Sequence, residues 1–365
     1  MRRNGMGASV LVVGAGDLGR QFAAMLALSG VVDELTLAGL CQGQGPELAA
    51  TLAQHYDVRA RFIELDGTRQ ADVERLLRQR RPDLVVQSAT LLGPWVAYQR
   101  SDPVALAIRK AGLAVQLPAQ LPVLATLMRA VREVGYGGPV ASISYPDLTH
   151  EVLDRLGLAP TIGLGNATIM HARVRAALRD RARSGGEGAK APIVRLVTDR
   201  FHNHGAFTCA PPAAAEDRCR VYLGEAGERA DELAYAGPPL RISPAVNTIA
   251  AATSMPVLRA LLPGGPPTRI SAPAPGGLPG GYPVRIEDGR VSLDLPPGVA
   301  LEESKAFNVR IRRGDGVERV ADDGTVFYTE AAKSAVAAID PGLCEPLRPQ
   351  DAPPRAARLI ARLNA

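Results

Sequence analysis

Short apolar runs alternate with stretches of helical apolar spacing through the first part of the chain. Ala8 to Val13 reads as a strand. Arg20 to Ser29 carries helical spacing and stops at Gly30. Glu34 to Ala38 is the next strand, Ala60 to Leu65 another, Gln70 to Arg80 a helix, and Asp83 to Ser88 a fourth strand. Helical spacing returns over 102–111 and 121–134, and Val140 to Ser144 is again a strand. Strands this uniformly apolar are buried on both faces, so the pattern predicts an α/β fold with a doubly wound parallel sheet. Ligands of such sheets sit beyond the carboxyl ends of the strands. That makes Ala89 to Tyr98, with Trp95 and Tyr98 as lid residues, a candidate active-site loop.

The pattern changes in the second half. Ile193 to Thr198 and Arg220 to Leu223 read as strands, and Pro244 to Leu262 as a helix. Pro and Gly cluster over 263–283, and Val284 to Leu295 alternates as a strand pair around Glu287 to Arg290. Helices follow at Leu301 to Arg313 and Arg355 to Leu363. Ser184 to Lys190 and Ala210 to Asp217 read as mobile loops. The expected division is a nucleotide-binding domain over 1–147 and an α+β substrate domain over 148–365.

Composition adds exclusions. The net charge of +5 comes almost wholly from Arg scattered among acids, and aromatics make up only 4% of the 365 residues. A stacking platform or basic stripe for nucleic acid is therefore not expected. No run approaches the roughly 20 apolar residues of a membrane span, and the apolar run at Val10 to Val13 is too short for a secretory signal. A cytoplasmic protein with a small-molecule substrate is expected. Cys41, Cys209, Cys219 and Cys344 form no metal-binding spacing and read as reduced thiols, with no metal site.

Gly14-Ala15-Gly16-Asp17-Leu18-Gly19 follows the first strand and opens the first helix, which is the context a dinucleotide-binding glycine motif requires. Gly14 permits a tight turn, Gly16 admits a pyrophosphate, and Gly19 lets helix and strand pack closely. The helix N-terminus then faces the phosphate charge. With Asp17, Leu18, Ser88 and Ala89 these residues form the expected cofactor site of a Rossmann sheet. The end of the second strand, where NAD binders place an acid on the ribose, is Gly39. That favours NADP over NAD, with Arg20 as the nearest base.

Beyond the glycine motif, several segments resemble the lactate/malate dehydrogenase superfamily in order along the chain. They are Val32 to Leu37, Ser144-Tyr145-Pro146-Asp147, Thr161 to Gly165 followed by Ala172 to Arg175, His204-Gly205, and Gly277 to Ile286. The resemblance implies hydride transfer between a nicotinamide and a small polar, carboxylate-bearing hydroxy or keto compound. It implies His204 as general acid/base, Arg173 as a two-pronged carboxylate clamp, and a homodimer or homotetramer. His202, two residues from His204, would share its face if the segment were a strand.

The chain departs from that family at telling positions. The acid that orients the histidine falls at Met170, and a thioether cannot take that role. Asp147 and Asp199 are the candidate substitutes. The turn Asn is Tyr145. Asn203-His204 is also similar to the turn of NAD-dependent, manganese-requiring α-glycosidases, but their metal-binding Cys falls near Gly165. Two alternatives stay open: an imine-reducing enzyme resembling saccharopine or opine dehydrogenases, and a non-catalytic nucleotide-binding regulator. His150 and His171 read as helix-face residues.

Overall fold

The structure, a computed structural model, describes residues 7–40, 43–185, 192–240 and 243–364. The expected loop at 184–190 and Cys41 therefore lie largely or wholly outside the described residues. The first elements are β1 (Ala8–Val13), α1 (Asp17–Leu28), β2 (Val32–Gly39), α2 (Gln44–His55), β3 (Arg59–Glu64), α3 (Gln70–Arg80) and β4 (Leu84–Gln87). Next come α4 (Pro103–Ala111), α5 (Leu117–Val134), β5 (Val140–Ser142), α6 (Pro146–Asp154), β6 (Ile162–Gly163) and α7 (Asn166–Gly185).

These strands form one parallel sheet in the order β3-β2-β1-β4-β5-β6. It is the doubly wound dinucleotide-binding order, with its switch point between β1 and β4. Val10, Leu11, Val12 and Val13 are all nearly inaccessible, so β1 is covered on both faces, as its unbroken apolar run requires. The sheet continues past the expected boundary at 147, because β6 joins it.

The remainder contains β7 (Val194–Val197), α8 (Arg200–Thr208), β8 (Arg220–Leu223), β9 (Glu228–Arg229), α9 (Val246–Leu261), β10 (Thr268–Pro273), β11 (Gly281–Glu287) and β12 (Arg290–Leu293). It ends with α10 (Leu301–Ile311), β13 (Val317–Val320), β14 (Val326–Tyr328), α11 (Glu330–Val336) and α12 (Ala352–Asn364). Three antiparallel sheets, β7-β8-β9, β10-β11-β12 and the pair β13-β14, complete the α+β part among the described residues. The Pro/Gly-rich stretch is thus the β10–β11 hairpin.

Two large cores flank the parallel sheet, and both recruit the second half of the chain. One packs Leu359 and Leu363 of α12 with Leu124 and Leu127 of α5. The other packs Val257 and Leu261 of α9 with Phe22 and Leu26 of α1. Among the described residues no single helix is long and apolar enough to cross a membrane.

Candidate active site

The carboxyl ends of β1, β2 and β4 open into a cavity of about 870 Å³ that extends to α7, α8 and α9. Every residue expected at the cofactor site lines it: Gly14, Gly16, Asp17, Leu18, Gly19, Gly39, Ser88 and Ala89. The glycines differ in what they do. A Cβ on Gly19 would lie 1.7 Å from the Gly14 carbonyl oxygen, so this position serves helix–strand packing. Gly14 holds φ +120°, and a Cβ there would press on Ser88 and Ala89. Gly16 has open space around its missing Cβ, on a helix N-terminus that no side chain caps. The orphan N–H groups of that first turn fit a phosphate.

Gly39 is constrained as well. A Cβ there would stand 2.7 Å from the Ala15 nitrogen and 2.9 Å from its Cβ. Close approach between the strand end and the glycine turn thus leaves no room for an acid at this position. Arg20 lies nearby, its guanidinium bonded to the Gln44 side chain and, at 3.4 Å, to the Ala15 carbonyl. Asp17 is held by Gln21 at 3.0 Å and by Asn247 of α9 at 2.8 Å. Asn247 in turn accepts the Trp95 indole N–H at 2.9 Å, which ties the 89–99 loop to α9 across the cavity.

At the far end lie His204, Asn203 and Arg200, all on α8. Asp199 caps this helix, accepting from the Phe201 N–H at 3.0 Å, while His202 Nδ1 accepts from the Asp199 N–H at 2.9 Å. That capping box makes the segment helical, and it separates the two histidines expected on one face. His204 lines the cavity. His202 is buried elsewhere: its Nε2 donates to the Asp217 carbonyl at 2.9 Å and its ring stacks on Phe307. Burial pushes the His202 pKa down to about 4, so it is a neutral structural residue. His204 is also shifted below the usual imidazole range, by partial burial and then by Arg200.

Arg173 does not reach the cavity. Its guanidinium donates to the carbonyls of Gly237 and Pro238 at 3.1–3.4 Å and lies 3.6 Å from the Cys209 thiol. The cation at the site is instead Arg200, which forms a two-pronged pair with buried Asp315 at 2.5 Å for each bond. Tyr145, in a left-handed conformation at φ +48°, lines the cavity and donates to Asp315 at 3.4 Å. Met170 is buried in an apolar cluster with Val174 and Leu196.

Neither candidate substitute for the missing acid bonds to His204. Asp147 accepts from the Arg200 N–H at 3.0 Å and from the Asn166 side chain. Burial raises its pKa to about 6, against the lowering effect of the Asn166 bond. Asp199 is raised well above the carboxylate range by burial, then by Asp147 and Asp315. His150 and His171 lie on α6 and α7 as expected, but are fully buried, their rings bonded to the Ala274 carbonyl and to Ser271. Among the described residues no cluster of three His, Cys, Asp or Glu side chains has a metal-binding arrangement.

The sequence does not single out Arg200, Asn166 or Asn247, and it marks Tyr145 only as a departure in the turn. The only local signal for Arg200 was its place directly after a capping Asp.

No family model matches the chain, and no curated protein matches it. Solved structures do. The apo malate dehydrogenase of Picrophilus torridus is 13% identical, with 92% of this chain and 100% of that chain covered and a TM-score of 0.47. The malate dehydrogenase of Aeropyrum pernix is 14% identical over 92% and 99%, with a TM-score of 0.47. The lactate dehydrogenase of Cryptosporidium parvum, complexed with lactic acid and nicotinamide adenine dinucleotide, is 14% identical over 85% and 96%, with a TM-score of 0.49.

Proposed function

We propose that the chain is a nicotinamide-dinucleotide-dependent oxidoreductase. One observation carries this: an uncapped helix N-terminus behind a glycine turn opens into a cavity that runs on to a histidine. The first-turn N–H groups of α1 hold the pyrophosphate, and the open space at Gly16 admits it. The bound nicotinamide supplies or accepts the hydride. His204 gives the reacting oxygen its proton or takes it back; its ring has no protein hydrogen-bond partner among the described residues and is free to do so. NADP is favoured over NAD, because Gly39 leaves no site for a ribose-binding acid and Arg20 offers a guanidinium at that end.

Calorimetric titration with NADPH and NADH tests this. One-to-one binding with a Kd below about 100 μM, tighter for NADPH, is expected. Binding of neither by folded protein overturns the assignment. The bare His204 also favours a second reading, imine reduction, in which an iminium already carries its proton. Turnover of keto compounds that requires an added amine would select it.

A further inference from the structure

Resting on the reading above, we infer that the substrate is a neutral, largely apolar carbonyl compound or its carbinol, without a carboxylate. A substrate carboxylate needs something positive to meet. The features near the reacting end that would serve are the Arg200 guanidinium and the N-terminus of α8. Both are already engaged by carboxylates of the protein.

Asp315 is almost wholly buried and takes the Arg200 guanidinium by both prongs, Nε to Oδ2 and Nη2 to Oδ1. Arg200 is the only Arg or Lys lining the cavity among the described residues. Asp147, equally buried, accepts the backbone N–H of Arg200 in the first turn of α8. Its other oxygen takes the Asn166 amide at the start of α7. Asp199, the cap of α8, accepts from Phe201. One carboxylate thus takes the guanidinium, and two further carboxyl groups take backbone N–H groups of the first turn of α8. A further carboxylate, brought in on a substrate, would find no unpaired positive partner. The Arg173 clamp that would relieve this is bonded to backbone carbonyls outside the cavity.

The walls make the same choice. Ile169, Phe207 and Val246 form a buried apolar cluster, with Trp95 and Ile143 packed against it, and all five line the cavity. Tyr145 adds a sixth apolar face. Other polar side chains in the lining are bonded within the protein, Ser144 to Gln87, Asn166 to Asp147 and Asn247 to Asp17, whereas the buried Asn203 Oδ1 has no partner and His204 faces the cavity. An apolar enclosure with a few convergent polar groups orients one polar function and buries the rest. In the reduction direction the carbonyl carbon gains a hydride from the reduced nicotinamide. The C=O π electrons move to oxygen, which takes the His204 proton, leaving the carbinol and the oxidised cofactor.

The chain has a single tryptophan, Trp95, and it lines the cavity, so intrinsic fluorescence reports occupancy. The probes are phenylacetone and phenylpyruvate, which differ in a methyl against a carboxylate beside the same ketone. Each is titrated into the whole chain, both alone and saturated with oxidised cofactor. The expected result is phenylacetone binding with a Kd at least about tenfold lower than phenylpyruvate. Equal or tighter binding of phenylpyruvate overturns the inference. So does the absence of any Trp95 response to either probe up to about 10 mM. If the cofactor itself fails to bind, the oxidoreductase reading falls. The preference between the probes in cofactor-free protein still decides the polarity of the cavity.

Discussion

Arg200 and Asp315, 115 residues apart in the chain, form a two-pronged ion pair at the α8 end of the cavity, with both bonds at 2.5 Å. Asp315 is 1% exposed, so the pair is desolvated on its acid side. Removing one partner leaves a charge without compensation where water cannot reach it. Asp315→Asn is expected to cost about 3 kcal/mol or more in urea unfolding, whereas the double change Arg200→Met with Asp315→Leu recovers most of it. In the fraction that stays folded, Asp315→Asn frees Arg200 and strengthens phenylpyruvate binding. A single variant as stable as wild type would show that the pair is solvated.

The two glycines at Gly16 and Gly19 separate folding from binding. A Cβ at Gly16 meets nothing within 4 Å, while one at Gly19 overlaps the Gly14 carbonyl. Gly16→Ala is therefore expected to keep the wild-type Tm and to weaken dinucleotide binding by about tenfold or more, since the added methyl fills the phosphate approach. Gly19→Ala loses stability outright. Thermal melts and calorimetry on the two variants check this, and unchanged dinucleotide affinity in Gly16→Ala would place the phosphates elsewhere.

Gly39→Asp is a further discriminating change. Where the strand end has room, an acid there binds the ribose and favours NAD. Here its Cβ runs into Ala15. The expected outcome is loss of binding for both NADPH and NADH, not a switch between them. Tightened NADH binding in the variant would refute the steric account.

Asp147 sets a pH dependence. Burial raises its folded pKa to about 6, above the ordinary 3.8 of an unfolded aspartate. Between those values the folded chain keeps a proton that the unfolded chain has released, so the Asp147 contribution to stability falls as pH rises from about 4 to about 6. Asp147→Asn retains an acceptor for the Arg200 N–H and removes the titration. The Tm of the variant minus that of wild type is expected to increase from pH 4 to pH 7. A difference that stays flat or decreases would mean that Asp147 ionises normally.

Most of the framework was legible because it depends on local pattern. The strand at Ala8 to Val13, the glycine turn and the helix after it are specified by residues next to one another, and β12 and α10 were bracketed by their turns. Site chemistry was less legible because it depends on pairs distant in sequence. Arg200 meets Asp315 only through the fold, and nothing near either residue announces the other. His202 and His204 were misjudged for a local reason. His202 stands where a capping box ordinarily has Glu or Gln, which hides the helix start at Asp199, and the shared face holds only for a strand. Arg173 was assigned by resemblance, and its neighbours Gly237 and Pro238 claim it.

A reduced nicotinamide is proposed to lie in the cavity between the glycine turn and α8. Energy transfer from Trp95 tests it most directly, because the chain's one indole lines that cavity and is held there by Asn247. Titration with NADPH under tryptophan excitation is expected to quench Trp95 and raise nicotinamide emission together, saturating at one equivalent and needing about tenfold or more NADPH in Gly16→Ala. Binding without energy transfer, or transfer that survives Gly16→Ala unchanged, would contradict the account.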